Sequence, residues 1–236
     1  SLVYVDPACI FMDECDTYST AADSTAFDFM YEQAIAQNVR AMNHSWGYTY
    51  TVYTPDEVDE IHDQINEFPA IYSRLESMAD ASRESGMIQV VAAGNTDGVN
   101  ASPEESPQPT APATIPMFFA DVEQYWVSVV NLNEDLVLSN RSMKCGVTAN
   151  WCIAAPGSNI TSTVFDTGEN FSGDWFVDAE GNLRFDIENR EAIAGFADYS
   201  GTSMAAPHVT GALGLLFERF PYLTGAQVRD VMLTTA

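Results

Sequence analysis

The run Tyr199-Ser200-Gly201-Thr202-Ser203-Met204-Ala205-Ala206-Pro207-His208 carries small residues straight into an apolar stretch, Val209 to Phe217. Thr202 reads as the N-cap of a helix, because a threonine side chain there accepts an orphan N–H of the first turn. Ser203 then falls in that turn, its hydroxyl and its own N–H near the positive end of the helix dipole. A serine that attacks a carbonyl creates an oxyanion, and such a helix end stabilises one. The residue types therefore fit a nucleophile, and they also fit a plain helix-start serine. Gly201 and Ala205 leave room for a substrate backbone. Pro207 breaks a helix rule, since it has no N–H to offer the Ser203 carbonyl four residues back.

A serine nucleophile needs a base. His208 lies five residues after Ser203 on the same helix, and at about 100° per residue it points about 140° away. It reads as a structural, hydrogen-bonded histidine. His62, within Asp56-Glu57-Val58-Asp59-Glu60-Ile61-His62-Asp63, reads as a surface histidine on a solvated acidic face, and His44 adjoins a short strand with no direct catalytic role expected.

The elements that must position Ser203 alternate. Phe27, Met30, Tyr31, Ala34 and Ile35 share one helical face, with Asp23 or Ser24 as its cap, and Val39 to Ser45 is short and extended. Ile71, Leu75, Met78, Ala79 and Ser82 share a second face, Gly86 stands where a C-terminal cap belongs, and Met87 to Ala93 is almost continuously apolar. Such a strand is covered on both faces, so the expected class is α/β: three layers, α/β/α, around a mostly parallel sheet. Further strands are expected at Trp126 to Leu132 and Ile153 to Ala155, the latter ended by Pro156-Gly157. Helices are expected from Ser203 to Arg219 and from Thr224 to Thr235. Five prolines between Asn95 and Pro116 predict a long surface loop, read as a tolerated insertion ahead of a substrate flap or processing site. A polar excursion runs from Phe165 to Gly195. Without repeats or a clean boundary, residues 1–236 read as one domain.

Hydrophobic residues make up 46% of the 236 and charged ones only 18%, which excludes a disordered chain. With 34 acidic against 9 basic residues the formal charge is -25, so phosphate backbones and anionic lipid are repelled and nucleic-acid binding is not expected. The single lysine, Lys144, leaves little room for Schiff-base or phosphate-loop chemistry. No apolar run is long enough for a transmembrane helix. Cys9/Cys15 and Cys145/Cys152 form two close pairs without CxxC spacing, which favours two local disulfides and an oxidising compartment over four free buried thiols. The acidic runs Asp13-Glu14-Cys15-Asp16 and Glu134-Asp135 offer oxygen ligands for structural calcium, but none follows an EF-hand pattern and solubility or salt adaptation is the preferred reading.

Three blocks carry a family resemblance. GTSMAAPHVTGALGLL, beginning at Gly201, resembles the serine signature of the subtilisin-like serine peptidases. Val90-Val91-Ala92-Ala93-Gly94-Asn95 resembles the strand and turn bearing that family's oxyanion asparagine, and Met42-Asn43-His44-Ser45-Trp46-Gly47 resembles the strand lining its specificity pocket. The segments from Leu138 to Gly146, from Trp151 to Gly157 and from Phe217 to Ala236 are similar to the bacterial autotransporter branch.

The resemblance implies a serine endopeptidase that forms an acyl-enzyme on Ser203, with Asn95 and the Ser203 N–H as oxyanion donors. On sequence alone Asn95 also reads as an asparagine suited to a left-handed turn beside Gly94. Ser45, Trp46 and Gly47 would wall the pocket with Ala92, Ala93 and Gly94, favouring apolar or aromatic substrate residues, unless Trp46 turns into the core. The family's aspartate and histidine blocks are absent. Together with the strand-like Ser1 to Val5 and the lack of an initial Met, this predicts an N-terminally incomplete chain starting just after the catalytic histidine helix. The implied chemistry needs no cofactor. Partners would be protein or peptide substrates outside the cytoplasm, with room for a translocator domain downstream. Two other readings stand beside this one. A non-catalytic peptide-binding module of the same scaffold is motivated by the missing base. An α/β-hydrolase esterase would need a second glycine at Ala205 and a histidine farther downstream.

Overall fold

The computed structural model describes residues 21–47, 69–96, 109–166, 173–177, 183–187 and 193–235. Four strands, β1 (Ala41–His44), β2 (Ile88–Ala92), β3 (Trp126–Leu132) and β4 (Cys152–Pro156), pair in that spatial order, all parallel. The register sets Asn43 beside Val90, Val91 beside Ser128 and Val130 beside Ala154. All five residues of β2 are buried, Gln89 among them, as expected of its almost continuously apolar run.

Four described helices supply the outer layers: α1 (Ala21–Ala36), α2 (Pro69–Ser85), α3 (Thr202–Arg219) and α4 (Gly225–Thr235). Because side chains alternate across a strand, β2 feeds two cores. Met87 and Val91 join Phe27, Tyr31, Leu75 and Met78 of α1 and α2 on one face. Ile88, Val90 and Ala92 join Ala205, Val209, Leu213 and Val228 of α3 and α4 on the other. The expected three-layer α/β arrangement with a parallel sheet is therefore present. α2 ends at Gly86, whose φ of 69° is the left-handed conformation of a helix C-terminal glycine. α1 begins at Ala21, ahead of Asp23 and Ser24, so neither is its cap, and β1 is shorter than the expected Val39 to Ser45.

The proline-rich segment differs from the surface loop expected of it. Residues 97–108 lie outside the described residues, but Ala111–Met117 is a 3₁₀ helix whose first six residues are buried. Two indoles make this burial tolerable. Trp126 Nε1–H donates to the Pro112 carbonyl at 3.0 Å and Trp151 Nε1–H to the Ala113 carbonyl at 2.9 Å. Prolines lack the N–H that would otherwise need a partner, so a buried segment rich in them is easier to satisfy than its composition suggests.

Cys145 and Cys152 are joined as a disulfide, S–S 2.07 Å, across the short 3₁₀ turn Gly146–Trp151. Cys9 and Cys15 lie outside the described residues, as does His62. The chain divides into two compact units, and the second is Asn159–Tyr199. It contains β5 (Ile160–Asp166), β6 (Gly173–Val177), β7 (Leu183–Ile187) and β8 (Ile193–Tyr199); β5 pairs with β8 and β6 with β7, both antiparallel. The polar excursion thus holds regular strand pairs.

Candidate active site

At the start of α3 the N–H groups of Gly201, Thr202, Ser203 and Met204 have no helical acceptor four residues back. Asn95 Oδ1 accepts the Thr202 N–H at 2.9 Å. The Gly201 carbonyl accepts those of Met204 and Ala205, at 3.0 and 3.3 Å. The Ser203 N–H is left with no acceptor among the described residues. Asn95 Oδ1 also takes the Thr202 hydroxyl proton at 3.1 Å, and Thr202 Oγ1 accepts the Gly94 N–H at 3.1 Å. Thr202 is therefore not the N-cap expected of it. Gly201 holds the cap position, and the side chain that closes the helix end comes from Asn95 on another element.

With Oδ1 accepting twice, the amide of Asn95 has one orientation. Its Nδ2 donor has no acceptor among the described residues, and it lies 3.0 Å from where a Cβ on Gly201 would stand. Two donors without an acceptor among the described residues, Asn95 Nδ2 and the Ser203 N–H, thus belong to the same helix start as the Ser203 hydroxyl. The turn that delivers Asn95 is fastened twice to the segment ahead of the disulfide. Met143 N–H donates to the Gly94 carbonyl at 3.0 Å and Thr96 N–H to the Arg141 carbonyl at 2.9 Å. Gly94 has φ 114°, which a residue with a Cβ rarely adopts.

Below this helix end, the Gly157 carbonyl accepts the Gly201 N–H at 2.8 Å. A Cβ on Gly157 would stand 2.6 Å from the Gly201 carbonyl oxygen, so only glycine permits that approach.

Ser203 and Ser45 face each other. Ser45 Oγ donates to the Ser203 carbonyl at 2.8 Å, and Ser203 Oγ donates to the Ser45 carbonyl at 3.3 Å. The other expected pocket residues separate. Trp46 is turned into the core, its ring edge-on to Phe27 at 5.8 Å, so its side chain walls no pocket. Burial of a large indole outweighs leaving it at a rim. Ala92 and Ala93 are buried too, Ala92 on the α3 side of the sheet. Ser45, Gly47 and Gly94 remain partly accessible.

Between those glycines stands Thr110, a residue that sequence reasoning passed over. Its Oγ1 is 2.9 Å from where a Cβ on Gly47 would be, and its Cγ2 is 2.6 Å from that of Gly94. Its N–H donates to the Ala93 carbonyl at 2.9 Å, while its buried hydroxyl has no hydrogen-bond partner among the described residues. The two glycines were the available signal, since each lacks a side chain where Thr110 sits.

His44 is buried in a polar chain rather than set near Ser203. Trp46 Nε1–H donates to its Nδ1 at 3.2 Å, which leaves Nε2 carrying the proton toward Gln89 Oε1 at 2.7 Å. Gln89 Nε2 donates on to Ser82 Oγ at 3.1 Å. Burial pushes His44 down to about 4, against the smaller opposing effect of the Gln89 bond, so the ring is neutral near pH 7. His208 is exposed and its Nδ1 donates to the Met204 carbonyl at 2.8 Å. No group of three or more His, Cys, Asp or Glu able to hold a metal lies among the described residues, and no described helix is long and apolar enough to cross a membrane.

Comparison with known proteins bears on this arrangement. The model of the subtilase family matches residues 15–236. An extracellular serine protease of Serratia marcescens is 37% identical over 165 residues, covering 70% of this chain and 14% of that protein. The Neisserial autotransporter lipoprotein NalP of Neisseria meningitidis is 24% identical over 231 residues, covering 85% and 18%. The chain therefore spans less than a fifth of the length of either relative. The solved structure of the patellamide maturation protease PatA superposes with a TM-score of 0.55 at 19% identity, over 90% of this chain and 58% of that one, a likeness of fold alone. The chain belongs to the subtilase family, whose fold it has and whose serine proteases it resembles.

Proposed function

We propose that this chain carries the nucleophile and oxyanion part of a serine endopeptidase. Ser203 attacks the scissile carbonyl and forms the acyl-enzyme. The oxyanion that develops is met by the Ser203 N–H and Asn95 Nδ2, donors already oriented and without an acceptor among the described residues, so little reorganisation is needed when charge appears. Those two donors beside one serine hydroxyl are the observation that carries the reading. The histidine base and the aspartate that orients it are contributed by chain preceding Ser1, as in the family's triad. Neither His44 nor His208 takes that part, the first being buried with both ring nitrogens engaged by Trp46 and Gln89 and the second bonded along its own helix.

Extended peptide would run along the backbone of Ser45 and Gly47, opposite Gly94, with the bed between them closed by Thr110. Chemistry needs no cofactor. The named relatives favour a site of action outside the cytoplasm and, by way of NalP, a translocator domain elsewhere in the protein. Residues 1–236 form one peptidase domain in this reading, with Asn159–Tyr199 an elaboration of it.

The test uses the full-length protein. A serine-directed fluorophosphonate is expected to label Ser203, and Ser203→Ala to abolish peptide cleavage. A protein that binds peptide but takes no label would favour the non-catalytic module, and cleavage persisting in Ser203→Ala would remove Ser203 from the mechanism.

A further inference from the structure

The N–H at position 207 would, in a regular helix, donate to the carbonyl of Ser203. Pro207 has no N–H, and its ring crowds that same carbonyl. The carbonyl of the candidate nucleophile is thus left without its helix partner. An unpaired carbonyl at this depth carries a desolvation cost and leaves the peptide plane after Ser203 free to tilt.

We propose that Ser45 is a positioning residue for Ser203, its hydroxyl supplying the hydrogen bond that Pro207 cannot. The proposal rests on Ser203 being the nucleophile. Ser45 Oγ donates to the Ser203 carbonyl at 2.8 Å. A hydroxyl has one proton, and that proton is committed because Asn43 Nδ2–H occupies the acceptor side of the same oxygen at 2.9 Å. Asn43 stands on β1, the end strand of the described parallel sheet, paired with Val90. Its Oδ1 faces Thr210 Oγ1 at 3.4 Å, although the Thr210 hydroxyl is closer to its own Ala206 carbonyl at 3.1 Å. The sheet therefore reaches the nucleophile through two side chains, Asn43 and then Ser45.

The geometry is reciprocal. Ser203 Oγ contacts the Ser45 carbonyl at 3.3 Å while Ser45 Oγ holds the Ser203 carbonyl. Two contacts between the same two residues restrict rotation as well as separation, which one contact would not. Both partners of the pair are half-buried, so water competes less than at an open surface. A displacement of about 1 Å in a reacting group costs on the order of 10²-fold in rate, which makes a fixed carbonyl one bond from the nucleophile's Cα consequential.

The experiment compares peptide hydrolysis by full-length Ser45→Ala, Ser45→Thr and the double variant Ser45→Ala/Pro207→Ala, with Ser203→Ala alongside. Ser45→Ala is expected to lower kcat about tenfold or more with KM within about twofold. Ser45→Thr, which keeps the hydroxyl, restores kcat. Pro207→Ala restores it in the Ser45→Ala background, because residue 207 regains the N–H that reaches the Ser203 carbonyl. A purely structural role for Ser45 would change thermal stability without this pattern of rescue. A Ser45→Ala protein with wild-type kcat overturns the proposal, as does a loss that neither second variant repairs, or a rise in KM at constant kcat. Activity surviving in Ser203→Ala overturns the reading of the nucleophile itself, a different result from an inactive Ser203→Ala beside an undisturbed Ser45→Ala.

Discussion

Asn95 Oδ1 closes the start of the helix that bears Ser203, accepting the Thr202 N–H at 2.9 Å and the Thr202 hydroxyl at 3.1 Å. One end of this amide is thereby committed to the fold while the other has no acceptor among the described residues. A residue that both caps a helix and offers a donor should be separable into its two parts by substitution.

Asn95→Ala removes both. It is expected to lower stability by about 1 kcal/mol, the usual cost of a lost cap, and turnover by about 10²–10³-fold. Asn95→Asp keeps the accepting oxygen and places a negative charge at a helix N-terminus, where it is favourable, but it has no donor. Thermal unfolding should then stay near that of the unsubstituted protein while kcat falls as far as in Asn95→Ala. Equal losses of stability in the two variants would argue against the cap.

Thr110 presents the opposite case, a buried hydroxyl with no partner among the described residues. Thr110→Val keeps the shape between Gly47 and Gly94 and exchanges the unsatisfied oxygen for a methyl group. Removing a desolvated, unpaired polar group is favourable by about 1 kcal/mol or more, so the melting temperature should rise. A fall would mean that the hydroxyl finds a partner in solution.

His44 gives a pH dependence. Burial holds it at about 4, below its ordinary 6.5. Between those values the unfolded chain takes up a proton that the folded chain refuses. Stability therefore falls as pH drops from about 6.5 to about 4, by on the order of 3 kcal/mol. The acidic residues add slopes of their own, so the measurement is a difference: His44→Gln should have a shallower dependence of stability on pH across that window, by about one bound proton. Parallel slopes would mean that His44 titrates alike in both states.

The Cys145–Cys152 disulfide closes a short loop, seven residues apart in sequence, just beyond the segment that fastens the Asn95 turn. For so short a loop the chain-entropy contribution is about 2–3 kcal/mol. Replacing both cysteines with serine should lower the melting temperature accordingly. Dithiothreitol should lower it by more in the unsubstituted protein than in the double variant.

Much of this protein is readable from local pattern. The buried strand at Ile88–Ala92, the strand at Trp126–Leu132, the helix on Ser203 and the Gly86 terminus follow from periodicity and from glycine and proline chemistry. These are properties of neighbouring residues, which sequence records directly. The missing N–H of Pro207 is equally local. What answers it is not. Ser45 is 158 residues from Ser203, and Asn95 is 107 from Thr202. Pairings across such distances depend on how parallel strands bring their C-terminal ends together, and no spacing rule encodes them. The same limit explains the misread segments. The prolines of 111–117 suggest surface until two indoles, from Trp126 and Trp151, arrive to satisfy its carbonyls. Thr202 looks like a cap until Gly94 and Asn95 occupy its hydroxyl. Trp46 fits a pocket wall in sequence, yet Phe27 and His44 offer it a buried place. Sequence by itself determined which groups are chemically able to act; tertiary packing decided which of their donors and acceptors are already occupied.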